Sequence, residues 1–323
     1  MSDPTPTSPA PQPIDSRYPI ADRPSSGIPR RRGWLHLGLF VATFVTLSMT
    51  GGYFWEGLGA SVTSDAELLD PTLWTRSFLV GIPYGLWVLA ILGAHEMGHY
   101  LACRYYGIPA TLPFFIPAPP LFVGSFGALI RIRGRIPHRR ALFDVAAAGP
   151  IAGFAIAFPL IVAGLVLAEP SSAGVPEPGS LSLGTPVMWY LLEGLWPHDT
   201  PPQVNYLIGA GWVGMLVTSL NLFPVGQLDG GHAAYAISRR LHRVTARASL
   251  VALLLLVVYH GAVLRQFPAY TLWFAILLWM RDRHPRLLDE TEPLDTRRRF
   301  VALALLAIFV LSFIPVPLIV HDA

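Results

Sequence analysis

The chain has 323 residues, 53% hydrophobic and only 13% charged, with a mean hydropathy of +0.49. A soluble domain usually carries about 25% charged residues, so the deficit excludes an ordinary soluble protein and points to a polytopic membrane protein. All 23 basic residues are arginine, the net charge is only +3 and the arginines cluster beside apolar segments, which argues against nucleic-acid binding.

Residues 1–29 hold eight prolines among Ser, Thr and Asp. Such a segment buries too little apolar surface to offset its ordering entropy, so a disordered tail is expected. Arg30-Arg31-Arg32 then precede an apolar stretch from Trp34 to about Phe54, the first expected span, with its basic flank inside. A span needs about 20 apolar residues. Further candidates lie at about 77–105, 141–168, 204–224, 246–264, 268–280 and 300–319. With seven spans and a cytoplasmic N-terminus, 21 of the 23 arginines fall inside and only Arg76 and Arg265 outside. Deleting the short 268–280 span would move the Arg281–Arg299 cluster outside, so seven is the expected count. The outside segments are acidic, with Glu56, Asp65, Glu67 and Asp70 in one and Glu169, Glu177, Glu193 and Asp199 in another.

Between the second and third spans, Thr111 to Pro137 carries Pro113, Pro117, Pro119 and Pro120 and then alternates from Ala128 to Arg135. Arg131, Arg133 and Arg135 share one face of a strand and Ile130 and Ile132 the other. A β-hairpin on the cytoplasmic side, dipping into the membrane, is the expectation; an ordinary basic loop is the competing reading.

The chemistry concentrates in His95-Glu96-Met97-Gly98-His99, inside the second apolar run. His95 and His99, at i and i+4 on a helix, project from one face about one turn apart, which suits two ligands of a tetrahedral zinc. Glu96 need not be a ligand and is placed to take a proton from water. Satisfied core histidines with a glutamate partner would explain the pattern without chemistry. Ionisable groups at membrane depth are costly and usually functional, however, and three lie within five residues. Cys103, the one cysteine, excludes a cysteine-rich zinc site, so any metal is held by His and carboxylate.

A catalytic tetrahedral site needs a third protein ligand. Asp144 begins the third span, where a helix N-terminus suffices to explain it. Asp229 follows Asn221-Leu222-Phe223-Pro224-Val225-Gly226-Gln227-Leu228, in which Pro224 and Gly226 break the helix. Broken backbone at membrane depth is tolerated where it lines a cavity or is buried in protein. Asp229 is therefore the best third ligand, with a solvated turn as the bland alternative; His232 is a weaker one, better suited to an outer role.

His95-Glu96-Met97-Gly98-His99, followed by Asn221-x-x-Pro224-x-x-x-Leu228-Asp229-Gly230, resembles the site-2 protease family of intramembrane zinc metalloproteases. Ala148-Gly149-Pro150 is similar to that family's small-residue motif, and Gly149 with Gly153 would allow close helix packing. The resemblance covers about 77–240. It implies that His95, His99 and Asp229 bind one zinc ion, that Glu96 is the general base and that Asn221 holds substrate or the oxyanion. It also implies transmembrane protein substrates. The topology, with the second span running outside to inside, puts His95–His99 toward its cytoplasmic end, so cleavage is expected nearer the cytoplasmic face. Many members carry a PDZ domain between the second and third core helices; here that segment, 169–203, is too short for one.

The expected protein is an all-α polytopic membrane protein of about seven transmembrane helices with a small cytoplasmic-side β-hairpin. It is placed in a bacterial-type cell membrane in contact with lipid, with no nucleic-acid partner and an unassigned oligomeric state. Its divisions are a tail (1–29), a first helix and outside loop (30–76), a catalytic membrane core (77–240) and C-terminal helices (241–323). A scaffold that has lost chemistry and a metal transporter are the rivals. The intact Glu96 argues against the first, and the lack of polar residues along several spans against the second.

Overall fold

The computed structural model describes residues 30–55, 65–120, 123–171, 181–198, 200–265, 269–281 and 287–320. The tail expected over 1–29 lies outside them. Helix α1, Arg30–Thr50, continues into a wide turn at Gly51–Trp55. After the short α2, Asp65–Leu68, the Asp70 side chain caps α3, Pro71–Val80, by accepting from the Thr72 N–H at 2.8 Å.

The span expected over 77–105 is not one rod. Helix α3 meets α4, Ile82–Tyr105, at 61°. Gly81 leaves the helical region (φ −85°, ψ 3°), and Pro83 lies in the first turn of α4, where its missing N–H costs nothing. A Cβ on residue 81 would lie 1.9 Å from the Ser48 carbonyl oxygen, so the bend is also where α1 crosses most closely.

Strands β1, Phe114–Pro117, and β2, Ser125–Leu129, pair antiparallel, with Phe114 opposite Leu129 and a bulge between Phe115 and Pro117. The expected hairpin is present, but its regular part lies upstream of the alternating Ala128–Arg135 run. Beyond Leu129 the pairing thins to an Ala110–Ile132 bridge, while Arg131, Arg133 and Arg135 are exposed, as alternation requires. The hairpin lies along α1. Its base meets His36, whose ring stacks on Phe114 at 3.9 Å, and Thr46 and Thr50 donate to the Gly124 and Pro120 carbonyls near its tip. From His36 to Thr50 a helix rises about 21 Å, so the hairpin runs alongside most of a membrane-length helix.

His138 Nδ1 accepts from the Ala141 N–H and caps α5, Arg139–Val166, which continues through Pro150 and Pro159. Strand β3, Leu181–Leu183, and α6, Val187–Leu192, precede α7, Tyr206–Leu222, capped by Asn205. Helix α8, Asp229–Ile237, follows the break, then α9, Arg239–Val258, α10, Thr271–Met280, and α11, Thr296–Ser312. The span expected to reach residue 319 stops at Ser312, because Pro315 and Pro317 cannot continue a helix. Beyond them β4, Leu318–Val320, pairs antiparallel with β3, a contact no local pattern announced.

The described chain is thus mostly helical with two small sheets. Three helical stretches are long and apolar enough to cross a membrane, Gly33–Trp55, Arg139–Val166 and Arg239–Val263, or four if α3 and α4 form one broken span. Helices α7 and α10 are apolar but shorter. The ten residues of α10 rise only about 15 Å, half of the roughly 30 Å hydrocarbon core.

A central cluster built on Phe143, Ala147, Leu222, Tyr235 and Leu294 joins α5, α7 and α8 to the segment before α11. That segment is also held by polar contacts. Glu290 accepts from Tyr235 Oη at 2.9 Å and pairs with Arg239 at 2.6–2.7 Å. The Arg239 hydrogen bonds hold the Glu290 carboxyl below its ordinary value of 4.5. A depressed carboxylate contributes stability above its unfolded pKa and loses it as pH falls through the folded one. Thermal unfolding in detergent should therefore show a wild-type decline on acidification below pH 4.5 that is shallower in Glu290→Gln; parallel curves would deny Glu290 this part.

Candidate metal centre

His95, Glu96 and His99 sit in the interior of α4 and are 3%, 6% and 7% exposed. Asp229 arrives from the first residue of α8. Three ligand atoms converge: His95 Nε2 and His99 Nε2 are 3.1 Å apart, and Asp229 Oδ2 is 3.2 Å from the first and 3.3 Å from the second. The Glu96 carboxylate lies within 4.8 Å of the two imidazole ligand atoms. Among the described residues, this is where His, Cys, Asp and Glu side chains gather closely enough to hold a metal.

The protonation pattern suits a cation. His99 Nδ1 donates to the Val145 carbonyl at 2.7 Å, which places the ring proton there and leaves the Nε2 lone pair facing the triangle. A tetrahedral zinc with bonds of about 2.0–2.1 Å separates its ligand atoms by about 3.3 Å, the spacing these three atoms already have. The donor set fits zinc.

Backbone geometry delivers each ligand. Helix α7 ends at Leu222 and the chain turns through Gly226 at φ +57°, where a side chain would be strained and would meet the Met280 carbonyl at 2.7 Å. That turn allows α8 to start at Asp229 with its carboxylate at a helix N-terminus. Helix α5 passes so close to α4 that a Cβ on residue 149 would lie 2.2 Å from His99 Nε2; on residue 153 it would lie 3.3 Å from the His95 ring. The small-residue stripe expected to serve packing is therefore also the seat of both rings. Asn221 Nδ2 reaches to 3.3 Å from His95 Nε2.

Every residue singled out on the two motifs is thus brought to one place. His232, one turn beyond Asp229, is half-buried and does not belong to the triangle. Asp144 stays out of it too and pairs with Arg298 Nη2 at 2.5 Å. Two elements escaped the sequence reading. One is the Val145 carbonyl, since backbone acceptors leave no sequence signal. The other is Ile130, whose backbone N–H is directed at Glu96; its place in the alternating run was the only hint.

Taken together, a buried His-Glu-x-x-His helix set among apolar helices carries the zinc-binding motif of a metallopeptidase, and Asp229 from the broken helix lies against its two imidazoles. Residues 84–263, more than half of the chain, match the model of Peptidase family M50, and the chain belongs to that family. It is 32% identical over 244 residues to the probable zinc metalloprotease EGY2, chloroplastic, of Arabidopsis thaliana, covering 73% of this chain and 42% of that protein. It is 33% identical over 260 residues to EGY1 of the same plant, also named a probable chloroplastic zinc metalloprotease, covering 78% and 45%. A similar match is to EGY3 of Oryza sativa subsp. indica, 28% identical over 306 residues, covering 86% and 47%. The chain spans less than half the length of these curated relatives.

Proposed function

We propose that this chain is an intramembrane zinc endopeptidase that hydrolyses peptide bonds in or near transmembrane segments of other membrane proteins. The observation that carries the reading is the convergence of His95, His99 and Asp229 beside Glu96, in a chain whose helices include three or four apolar enough to cross a membrane.

In this reading His95, His99 and Asp229 hold one zinc ion. Bound there, zinc acidifies its water and polarises a peptide carbonyl. The chain's own groups do the rest. Val145 fixes the tautomer of His99. Glu96 removes the proton of the attacking water and delivers it to the departing amine nitrogen. The Asn221 amide, beside His95, donates to the oxygen on which negative charge develops. The apolar helices around the site keep bulk water away and strengthen each of these interactions.

A helical substrate hides its carbonyls in hydrogen bonds and must unwind before attack. Among the described residues β2 pairs only with β1, and the chain just beyond it aims the Ile130 N–H at Glu96. The hairpin then holds the extended stretch by strand addition, next to the base. The finer topology is seven passes with the N-terminus cytoplasmic in a bacterial-type cell membrane, supported by 21 of 23 arginines falling on one side. His95–His99 lie in the second half of α4, so cleavage falls nearer the cytoplasmic face.

The test is reconstitution of the full chain with a single-span substrate. Chelation should abolish cleavage and zinc should restore it, with product termini mapping to the cytoplasmic half. Cleavage that persists without metal would overturn the zinc reading, and termini on the outer side would overturn the topology.

A further inference from the structure

The residues that hold the ligand-bearing helices together at their inner ends come from a segment beyond the family match, which stops at residue 263. Arg298, in the first turn of α11, forms a two-pronged pair with Asp144, Nε to Oδ1 at 2.8 Å and Nη2 to Oδ2 at 2.5 Å. Its Nη2 also donates to Tyr106 Oη at 3.1 Å, and Tyr106 Oη donates to Asp144. Tyr106 is the residue that ends α4, two turns past His99. Asp144 immediately precedes Val145, whose carbonyl orients the His99 ring. One guanidinium therefore ties the helix of both histidines to the point on α5 that sets the tautomer of His99.

A second clamp acts on the third ligand. Tyr235, on the same short helix as Asp229, donates to Glu290, which also pairs with Arg239 at 2.6 Å and approaches Arg139 at 3.8 Å. The backbone around Glu290 is laid against the start of α5, with the Leu288 and Asp289 N–H groups donating to the Ile136 and Pro137 carbonyls. Between the two clamps Leu294, 6% exposed, is buried in the same cluster as Phe143 and Tyr235.

We propose that residues 287–298 form a strap that positions the metal ligands: Arg298 sets α4 against α5, Glu290 sets α8 against α5, and neither touches the metal or the substrate. The inference rests on the zinc reading above. Outer partners of metal ligands typically set affinity by about 10–100-fold; the strap acts one residue further out, so its effect belongs near the lower limit.

The test uses the full chain in detergent with Co²⁺ as probe, because tetrahedral Co²⁺ absorbs in the visible range. Arg298→Gln and Glu290→Gln should each weaken Co²⁺ binding about tenfold and alter the visible bands. The milder Tyr106→Phe and Tyr235→Phe, which remove one hydroxyl each, should weaken it about threefold. A purely structural role would lower the melting temperatures of the metal-free and metal-bound forms together and leave affinity and spectrum alone. That result, or wild-type Co²⁺ affinity in both tyrosine variants, would overturn the strap, including where the Arg298 and Glu290 variants fail to fold. Failure of the wild-type chain to bind Co²⁺ or zinc would instead overturn the zinc reading itself.

Discussion

Glu96→Gln is expected to keep zinc and lose peptide cleavage by about 10²–10⁴-fold, the usual contribution of a positioned general base. The substitution preserves shape in a site where Glu96 is only 6% exposed, and the amide oxygen can still accept from the Ile130 N–H. It removes only the capacity to take a proton. The three atoms of the metal triangle belong to His95, His99 and Asp229, so metal content should stay at one ion per chain by elemental analysis. A co-expressed single-span substrate should accumulate uncleaved. A scaffold would keep all its partner binding in this variant, and a transporter would keep its transport. Unchanged cleavage would remove Glu96 from the chemistry.

Gly149→Ala is expected to abolish zinc retention while leaving the fold intact. An added Cβ would sit 2.2 Å from His99 Nε2, 2.4 Å from Cε1 and 2.6 Å from Cδ2, so the ring must leave its seat. Moving it breaks the Nδ1 hydrogen bond to Val145 and withdraws Nε2 from the triangle. Losing an orienting partner alone costs about 10–100-fold in metal affinity, and here the ligand itself is displaced, so the loss should exceed that range. Alanine is favoured over glycine in a helix interior by roughly 0.8–1.0 kcal/mol, so α5 itself should tolerate the change. Gly153→Ala is the control, because its Cβ would meet His95 at a tight but adjustable 3.3 Å. Competition with a chromophoric chelator, alongside thermal unfolding of the metal-free forms, separates lost metal from lost fold. Wild-type zinc affinity in Gly149→Ala would mean the ring is not seated as described.

Much of the site was legible because its chemistry is written in local spacing. Two histidines at i and i+4 face one way on any helix, and a proline and a glycine before Asp229 break any helix that contains them. The bend at Gly81 was less legible. A lone glycine in an apolar run is common, and what decides the bend is Ser48, more than 30 positions away, crossing where residue 81 has no Cβ to intrude. Nor did periodicity separate the 300–319 run into a helix and a strand: its apolar residues suit both, and the β3 partner that selects the strand lies more than 130 positions earlier.

Composition and spacing alone determined that this is a polytopic membrane protein, which residues could hold a metal and which of them could move a proton. These follow from local rules: helical phase, backbone breakers and the cost of placing charge in lipid. Only the tertiary structure decided that Asp229 stands 3.2–3.3 Å from both imidazoles, that Val145 sets the tautomer of His99 and that Gly149 is the seat of its ring. It alone brought Arg298 to Asp144 from 154 positions away. Those facts are distances between separate helices. Packing sets such distances, and no periodicity within one segment encodes them.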